Sequence, residues 1–244
     1  MIKILVLTTF TISILMTSSR VFSEAQDTVS MACNHFPPLK IEHPVDGYIG
    51  ADIEVLNSVL ALASKKLVTT YFPWKRALLL AQKGDFDGLC SCSYTKDREV
   101  DFYFSDEIGR NSIGIYSINK TKKKGLVSLK GLTIGVVRGY NLETELRKVS
   151  IKTITGSSEL NLLRMLEAKR IDAVYAYKTV VSELAKSNEF IRKFNYSEIS
   201  SAPYYTCFSK KKSDSKGLLI KFNKSLKTIK ENGDFEKIKR KYGL

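Results

Sequence analysis

Polar and aromatic side chains follow one predicted strand after another in this sequence, and their chemistry suits a binding site. They bring aromatic rings, hydroxyl groups and two guanidinium groups: Phe36, Trp74, Ser93, Arg98, Arg138, Tyr140 and Tyr177. In open parallel sheets, ligands bind beyond the carboxyl ends of the strands, where helix N-termini also point. The set includes no shared group of metal ligands. It therefore predicts a recognition surface for a small polar or anionic molecule.

Enzymatic chemistry has less support in the sequence. The only histidines are His35 and His43, and neither has a nucleophile or an acid at a recognisable motif spacing. The segment Gly135-Val136-Val137-Arg138-Gly139 lacks the third glycine and the acidic partner of a dinucleotide-binding loop. A spatial triad stays open, since triads are not read from sequence order. We expect no catalytic residue, no metal ligand and no cofactor.

Short strand-like runs alternate with segments of helical periodicity, and these elements position the candidate site residues. Strands are predicted over residues 28–33, 67–71, 88–93, 132–137, 151–155 and 171–176, with helices over 52–66, 73–83, 142–148 and 157–169. Apolar stripes near the C-terminus, such as Leu218, Phe222, Leu226 and Ile229, predict two final helices that face the core. This alternation indicates an α/β fold with mostly parallel sheets covered by helices.

The first residues have the layout of a secretory signal. Lys3 precedes an apolar run over residues 4–16, and small residues near Ser23 and Ala25 offer cleavage sites. The run is shorter than a comfortable membrane span. We expect a cleaved signal peptide over residues 1–23 and a periplasmic protein, with an uncleaved anchor as the alternative.

The net charge of +14 is the least specific feature of the chain. Lysines are dispersed, apart from tight runs at 122–124 and 210–212. A nucleic-acid binder needs a basic stripe beside groove-entering or aromatic elements. A solvated basic surface is the preferred interpretation, and we expect no nucleic-acid partner. A basic adhesion or nucleic-acid-binding protein remains the alternative, and its binding should fall steeply with salt.

Four cysteines, Cys33, Cys90, Cys92 and Cys207, would enter an oxidising compartment on export. Three fully paired connectivities are possible, and the sequence does not choose among them. Cys90 and Cys92 are two residues apart on a predicted strand and should therefore project from the same face. Small buried thiols are the other interpretation.

Several short motifs, in order, resemble a known family. They are Phe36-Pro37-Pro38, Gly50-Ala51-Asp52-Ile53-Glu54-Val55, Gly84-Asp85-Phe86-Asp87-Gly88, Thr95-Lys96-Asp97-Arg98, Phe104-Ser105-Asp106 and Lys241-Tyr242-Gly243. Each is modest alone, but their order and spacing over residues 28–244 are specific. The chain resembles the family 3 bacterial extracellular solute-binding proteins, whose better-known members bind amino acids.

The resemblance implies a two-lobed periplasmic-binding-protein type II fold with its ligand cleft between the lobes. Lobe one would cover residues 27–112 plus 205–244, and lobe two residues 113–204. It further implies a monomer that closes on a small polar ligand and delivers it to the membrane permease of an ABC-type importer. The alternatives are an enzyme on the same fold, similar to cyclohexadienyl dehydratase, and a ligand-sensing protein.

The resemblance also assigns roles to individual residues. Arg98 falls where relatives grip the ligand α-carboxylate, a task that suits the planar guanidinium fork. Ser93 would support the same carboxylate, and Phe36 and Trp74 would sandwich the ligand. The alternatives are a salt bridge of Arg98 with a neighbouring acid, and core packing for Trp74.

Two departures from the family pattern bear on the ligand. Relatives usually place an acid near Tyr177 to hold the α-ammonium, and an Asp is often found at Cys33. A tyrosine hydroxyl accepts a hydrogen bond but supplies no charge at neutral pH. The second half instead offers Arg138 and Tyr140 at its first strand-to-helix turn. These changes shift the expected ligand from an ordinary α-amino acid towards an anion.

Overall fold

A computed structural model of the protein describes residues 27–120 and 125–244. In chain order its strands and helices are β1 (Thr28–Cys33), α1 (Ala51–Leu62), β2 (Lys66–Tyr71), α2 (Trp74–Lys83), β3 (Gly88–Ser93), α3 (Lys96–Asp101), β4 (Phe102–Ser117), β5 (Thr133–Val137), α4 (Asn141–Lys148), β6 (Lys152–Gly156), α5 (Glu159–Glu167), β7 (Ala173–Tyr177), α6 (Lys178–Ser187), β8 (Asn195–Ser209), α7 (Ser215–Glu231) and α8 (Asp234–Lys241).

The strands form one eight-stranded sheet in the order β2-β1-β3-β8-β4-β7-β5-β6. At one end β1 pairs in parallel with β2 and β3, and at the other β5 pairs in parallel with β6 and β7. These two parallel ends, each covered by its own helices, are the two lobes of the fold. Parallel pairing within each lobe agrees with the strand–helix alternation of the sequence.

Two long antiparallel strands join the lobes. Strand β4 has 16 residues and β8 has 15, and they pair with each other from Phe102↔Ser209 to Ser117↔Asn195. Strand β8 also pairs with β3 in one lobe, and β4 pairs with β7 in the other. The periodicity of the sequence did not reveal these strands.

The predicted helix boundaries were too wide at some ends. Helix α1 ends at Leu62, and Lys66 begins β2, so no basic residue lies in the last turn of the helix. Helix α5 begins at Glu159, because the Ser158 hydroxyl accepts a hydrogen bond from the Asn161 N–H and caps the first turn. Helix α2 ends at Lys83 as predicted, and the φ of 87° at the following Gly84 lies in the left-handed region that favours glycine.

The C-terminal helices pack on the first lobe, as the apolar stripes predicted. Helix α7 buries Leu218, Phe222, Leu226 and Ile229. Each large apolar side chain that is fully buried contributes roughly 1.5–3 kcal/mol. Helix α7 contacts α1 and β4, so this C-terminal helix packs in the lobe that contains α1.

Two disulfide bonds fix β3 between its neighbours. Cys33 on β1 bonds to Cys90, and Cys92 bonds to Cys207 on β8. The four residues are between 0% and 4% exposed. The β3–β8 register shifts between Leu89 and Cys92. The two cysteines of β3 therefore bond to strands on opposite sides of it.

In the ranges 27–120 and 125–244, no helix has both the length and the apolar character needed to cross a bilayer. The expected signal peptide over residues 1–23 and the lysine run at 122–124 lie outside the described residues.

Candidate functional site

One cavity lies between the lobes and encloses about 380 Å³, including the space at its mouth. Six of the seven residues predicted from the sequence line it: Phe36, Trp74, Ser93, Arg98, Tyr140 and Tyr177. They come from both lobes and lie at or just after strand ends. Much of that volume is open space at the mouth, so the enclosed part is small. The cavity is therefore suited to a small molecule.

Arg98 crosses the gap between the lobes. Its Nη1 donates to the Ser93 carbonyl oxygen at 2.8 Å, and its Nη2 donates to the Gly139 carbonyl oxygen of the other lobe at 3.2 Å. The side chain is only 6% exposed, and its burial lowers the pKa of the guanidinium from the usual value. Arginine nevertheless stays charged in proteins. The cavity therefore holds a fixed positive charge.

Local structure sets the direction of the Arg98 side chain. The Thr95 hydroxyl accepts a hydrogen bond from the Arg98 N–H at 3.2 Å and caps α3, and the guanidinium lies 5.0 Å from the Trp74 ring centroid. In the described chain no carboxylate oxygen lies within 4.0 Å of Arg98, so the alternative salt bridge with Asp97, Glu99 or Asp101 is not formed.

Trp74 and Gly139 form a second contact between the lobes. The Trp74 Nε1–H donates to the Gly139 carbonyl oxygen at 2.8 Å, and the Trp74 ring packs edge-on against Tyr140 at 5.9 Å. Gly139 has a φ of 79°, and a Cβ there would lie 2.8 Å from Lys75 Cδ. Glycine is therefore needed for this carbonyl to face Trp74 and Arg98.

A chain of hydroxyl and amide groups closes the opposite wall. Tyr177 donates to Asn141 Oδ1 at 2.7 Å, and Ser93 Oγ lies 2.9 Å from the Tyr177 hydroxyl. Because the single Tyr177 hydrogen points to Asn141, Ser93 is the donor in the second bond. Burial raises the pKa of Tyr177 to about 12, so its hydroxyl is neutral at physiological pH. The position where relatives usually place an acid carries no charge here.

The model for "Bacterial extracellular solute-binding proteins, family 3" matches residues 29–244 of this chain. The chain belongs to this family. A relative, the arginine-binding periplasmic protein of Mannheimia haemolytica, is 26% identical over 236 residues, covering 91% of this chain and 93% of that protein. Members are extracellular solute-binding proteins, and this chain is one of them by family.

Solved structures share the family 3 fold. An ancestral arginine-binding protein bound to arginine has a TM-score of 0.77 at 23% identity, covering 89% of this chain and 98% of that one. An ancestral amino-acid-binding protein described as a precursor of cyclohexadienyl dehydratase has a TM-score of 0.74 at 20% identity, covering 89% and 95%. These similarities establish the two-lobed α/β architecture for this solute-binding protein.

The solute-binding cavity contains groups that the sequence did not single out. Lys40 is 4% exposed, lines the cavity with Arg98, and donates from Nζ to Ser91 Oγ at 2.6 Å. Burial lowers the pKa of the Lys40 ammonium to about 8, and the negative charges of Asp52 and Glu159 oppose part of that shift. The only signal for Lys40 is its place four residues after Phe36, with which it forms a short bridge.

Glu159 is another buried ionisable residue that the sequence did not single out, and it lies outside the cavity lining. Burial raises the pKa of Tyr140 well above its usual value, and the charge of Glu159 adds to that shift. Burial raises the pKa of Glu159, and its Oε1 has no hydrogen-bond partner within residues 27–120 and 125–244. Over the same ranges, no three His, Cys, Asp or Glu side chains are grouped as metal ligands.

Arg138 does not line the cavity. It is exposed, lies in an outer groove with Lys75 and Arg147, and its Nε donates to Thr155 Oγ1 at 3.3 Å. The side chain leaves strand β5 one residue before the backbone turns inward at Gly139. The seventh predicted site residue is therefore placed at the rim of the lobe interface.

We expect Arg138→Gln to change the solute dissociation constant by no more than about threefold, since exposed groups that do not touch a ligand contribute only about 0.5 kcal/mol. Calorimetric titration of the variant and the native protein with the same solute measures this. A tenfold loss would place Arg138 in the bound complex and contradict the position described here.

Proposed function

We propose that this chain captures a small polar solute, an amino acid or a related carboxylate, by closure of its lobes, and delivers it to an ABC-type importer. In this proposal residues 1–23 are a cleaved signal peptide, and the mature protein acts as a periplasmic monomer without a nucleic-acid partner. The observation that carries the proposal is the cavity itself. Arg98, Trp74 and Ser93 meet Tyr140 and Tyr177 of the other lobe around it.

The proposed movement is a hinge between residues 27–112 plus 205–244 and residues 113–204. Hinge closure around a ligand is an established type of conformational change. Among the described residues, only β4 and β8 pass between the parallel ends of the sheet, which supports bending there. The bonds from Trp74 and Arg98 to Gly139 join the two sides. Opening breaks them and admits the solute.

The proposed roles follow from the positions in the cavity. Arg98 pairs with a carboxylate of the solute, Ser93 and Tyr177 offer hydroxyls, and the rings of Phe36, Trp74 and Tyr140 enclose its apolar part. A relative at 26% identity is an arginine-binding protein. Arginine itself carries two cationic groups, and the lining of this cavity offers them no carboxylate. The proposal for this chain is therefore the solute class, without arginine as the named ligand.

Trp74 is the only tryptophan of the chain, so its fluorescence reports directly on closure. In a screen of amino acids, carboxylates and small anions, we expect a true solute to shift the Trp74 emission and to raise the melting temperature. At 100 times its dissociation constant a ligand adds roughly 2.7 kcal/mol, which for a chain of this size corresponds to about 5–10 °C. If no compound of these classes changes either signal, the proposed function is wrong.

An enzyme on the same fold is the second candidate, and one observation favours it. Lys40 lies in the cavity, and its pKa of about 8 is in the range that suits a general base. The first candidate is preferred because burial raises the pKa values of the tyrosines that line the cavity with Lys40, that of Tyr177 to about 12, which makes them poor proton donors and acceptors at neutral pH. Proton NMR of bound solutes in D2O distinguishes the two. We expect unchanged solutes, whereas turnover or deuterium exchange at carbon would favour the enzyme.

A further inference from the structure

Lys40 carries a buried charge that the fold does not neutralise. An ammonium group has three N–H donors. Within the described ranges, Lys40 Nζ makes one hydrogen bond, to Ser91 Oγ at 2.6 Å, and lies 5.0 Å from the centre of the Phe36 ring. No carboxylate oxygen lies within 4.0 Å of it in that part of the chain. Two of its donors are therefore free to bind a solute.

The acids that act on Lys40 are not paired with it. Asp52 accepts a hydrogen bond from Tyr204 at 3.0 Å and lies 3.6 Å from Lys239 Nζ. Glu159 lies outside the cavity lining and forms no ion pair in the described chain. Both acids act on Lys40 only through their electric field. A buried charge without a paired partner is costly for folding. An anionic solute would remove that cost, which gives Lys40 a functional explanation.

The charges that line the cavity are all positive within the described chain. Lys40 and Arg98 are its two ionised residues, and the other polar groups are hydroxyls and amides, such as Ser91, Asn111 and Asn141. The α-ammonium of an amino acid would meet two cations and no carboxylate. Tyr177, with its pKa near 12, supplies no compensating charge. The electrostatics therefore favour a solute that lacks an ammonium group.

The two cations are held at different points along one strand. Lys40 is bonded to Ser91 and Arg98 to Ser93, two residues apart on β3. Two residues of a strand span about 6.6 Å. A single sulfate or carboxylate that reached both cations would divide its oxygens between them. Two carboxylates joined by a short carbon chain give each cation a carboxylate of its own.

We propose that the solute is a short dicarboxylate without an ammonium group, with one carboxylate on Arg98 and the other on Lys40. This inference rests on the proposed solute-binding function and specifies its substrate class.

Matched ligands test the inference on the native protein. Glutarate differs from L-glutamate by the ammonium group and from butyrate by one carboxylate. By isothermal titration calorimetry we expect the best of succinate, glutarate and adipate to bind at least tenfold more tightly than L-glutamate, L-arginine, butyrate or sulfate. If L-glutamate or L-arginine binds more tightly than the dicarboxylates, the dicarboxylate proposal is wrong but the proposed function is retained. Tighter binding of sulfate also overturns the dicarboxylate proposal. Binding of none of these compounds counts against both.

A variant pair then assigns the second carboxylate to Lys40. Lys40→Met removes the buried charge, and Lys221→Met makes the same change on the exposed surface of α7. We expect Lys40→Met to weaken dicarboxylate binding at least tenfold, to leave butyrate binding within twofold, and to keep or raise the unfolding midpoint. Lys221→Met should alter none of these. Equal loss of both ligands in Lys40→Met contradicts a role for Lys40 at the second carboxylate.

The ligand comparison on the native protein decides the proposal even if Lys40→Met does not fold. The pH dependence provides a further readout. Lys40 is surrounded by Asp52, Glu159, Arg98 and the tyrosines at 140, 177 and 204, and its pKa in the free protein is about 8. Above that pH the ammonium loses its proton. Dicarboxylate affinity should therefore fall as the pH rises from 8 to 9, and butyrate affinity should change less.

Discussion

Arg98→Ala is expected to weaken solute binding by at least about 100-fold. Removing one partner of a buried, hydrogen-bonded charge pair costs roughly 2–5 kcal/mol, and a factor of 100 corresponds to about 2.7 kcal/mol. Arg98 is buried, lines the cavity and has no carboxylate partner in the described chain, so its charge is available to the solute. Calorimetric titration with the solute that gives the largest melting shift measures the loss.

Two controls separate the guanidinium fork from charge alone. Arg98→Lys keeps the charge but not the planar fork. We therefore expect its affinity for the solute to lie between those of Arg98→Ala and the native protein. Arg76→Ala removes an exposed arginine of α2 outside the cavity and should leave affinity unchanged. If Arg98→Ala binds within twofold of the native protein, Arg98 only joins the carbonyls of Ser93 and Gly139 and does not hold the solute.

Much of the cavity could be predicted because strand ends are visible in the sequence. Phe36, Trp74, Ser93 and Tyr177 lie at or just after the ends of four strands, and the fold brings those ends to the two sides of one cleft. Arg98 also follows a strand, but its role needed the family resemblance, because nothing in its local pattern distinguishes a cavity arginine from one in a surface ion pair. Arg138 shows the limit of this reasoning. It is next to Gly139, where the backbone turns inward, and its side chain faces away from the cavity.

Lys40 could not be predicted from the chain alone. Lysine is almost never fully buried unless it is paired, and Lys40 lies in a loop without periodicity. Its burial depends on the bridge to Phe36 and on Ser91, which is 51 residues away in sequence. Tyr204 is similar, since it reaches the cavity from β8, a strand that the sequence pattern did not reveal. Long-range contacts of this kind leave no local signal.

The cysteine pairing was also beyond sequence reasoning. Cys90 and Cys92 are two apart on β3, which predicted side chains on one face and left three connectivities open. The pairing follows from sheet order, because β3 lies between β1 and β8. Cys90 bonds towards β1 and Cys92 towards β8. Only the three-dimensional neighbours of β3 decide between the alternatives.

The largest expected loss of stability follows from removing the Cys92–Cys207 disulfide. It joins residues 115 apart in sequence, and a crosslink over a loop of that length restricts the unfolded chain strongly. We expect Cys92→Ser with Cys207→Ser to lower the free energy of unfolding by roughly 2–5 kcal/mol. Urea unfolding, followed by Trp74 fluorescence and by circular dichroism, measures the change.

The second disulfide provides the comparison. Cys33→Ser with Cys90→Ser opens a loop of 57 residues. It should lower the free energy of unfolding by a similar but slightly smaller amount. Both bonds hold β3, the strand that carries Ser91 and Ser93 and, through them, Lys40 and Arg98. Removal of either bond should therefore weaken solute binding less than Arg98→Ala does, because the ladder of β3 with β1 and β8 remains. Unchanged unfolding in the Cys92/Cys207 variant would mean that this bond does not form in solution.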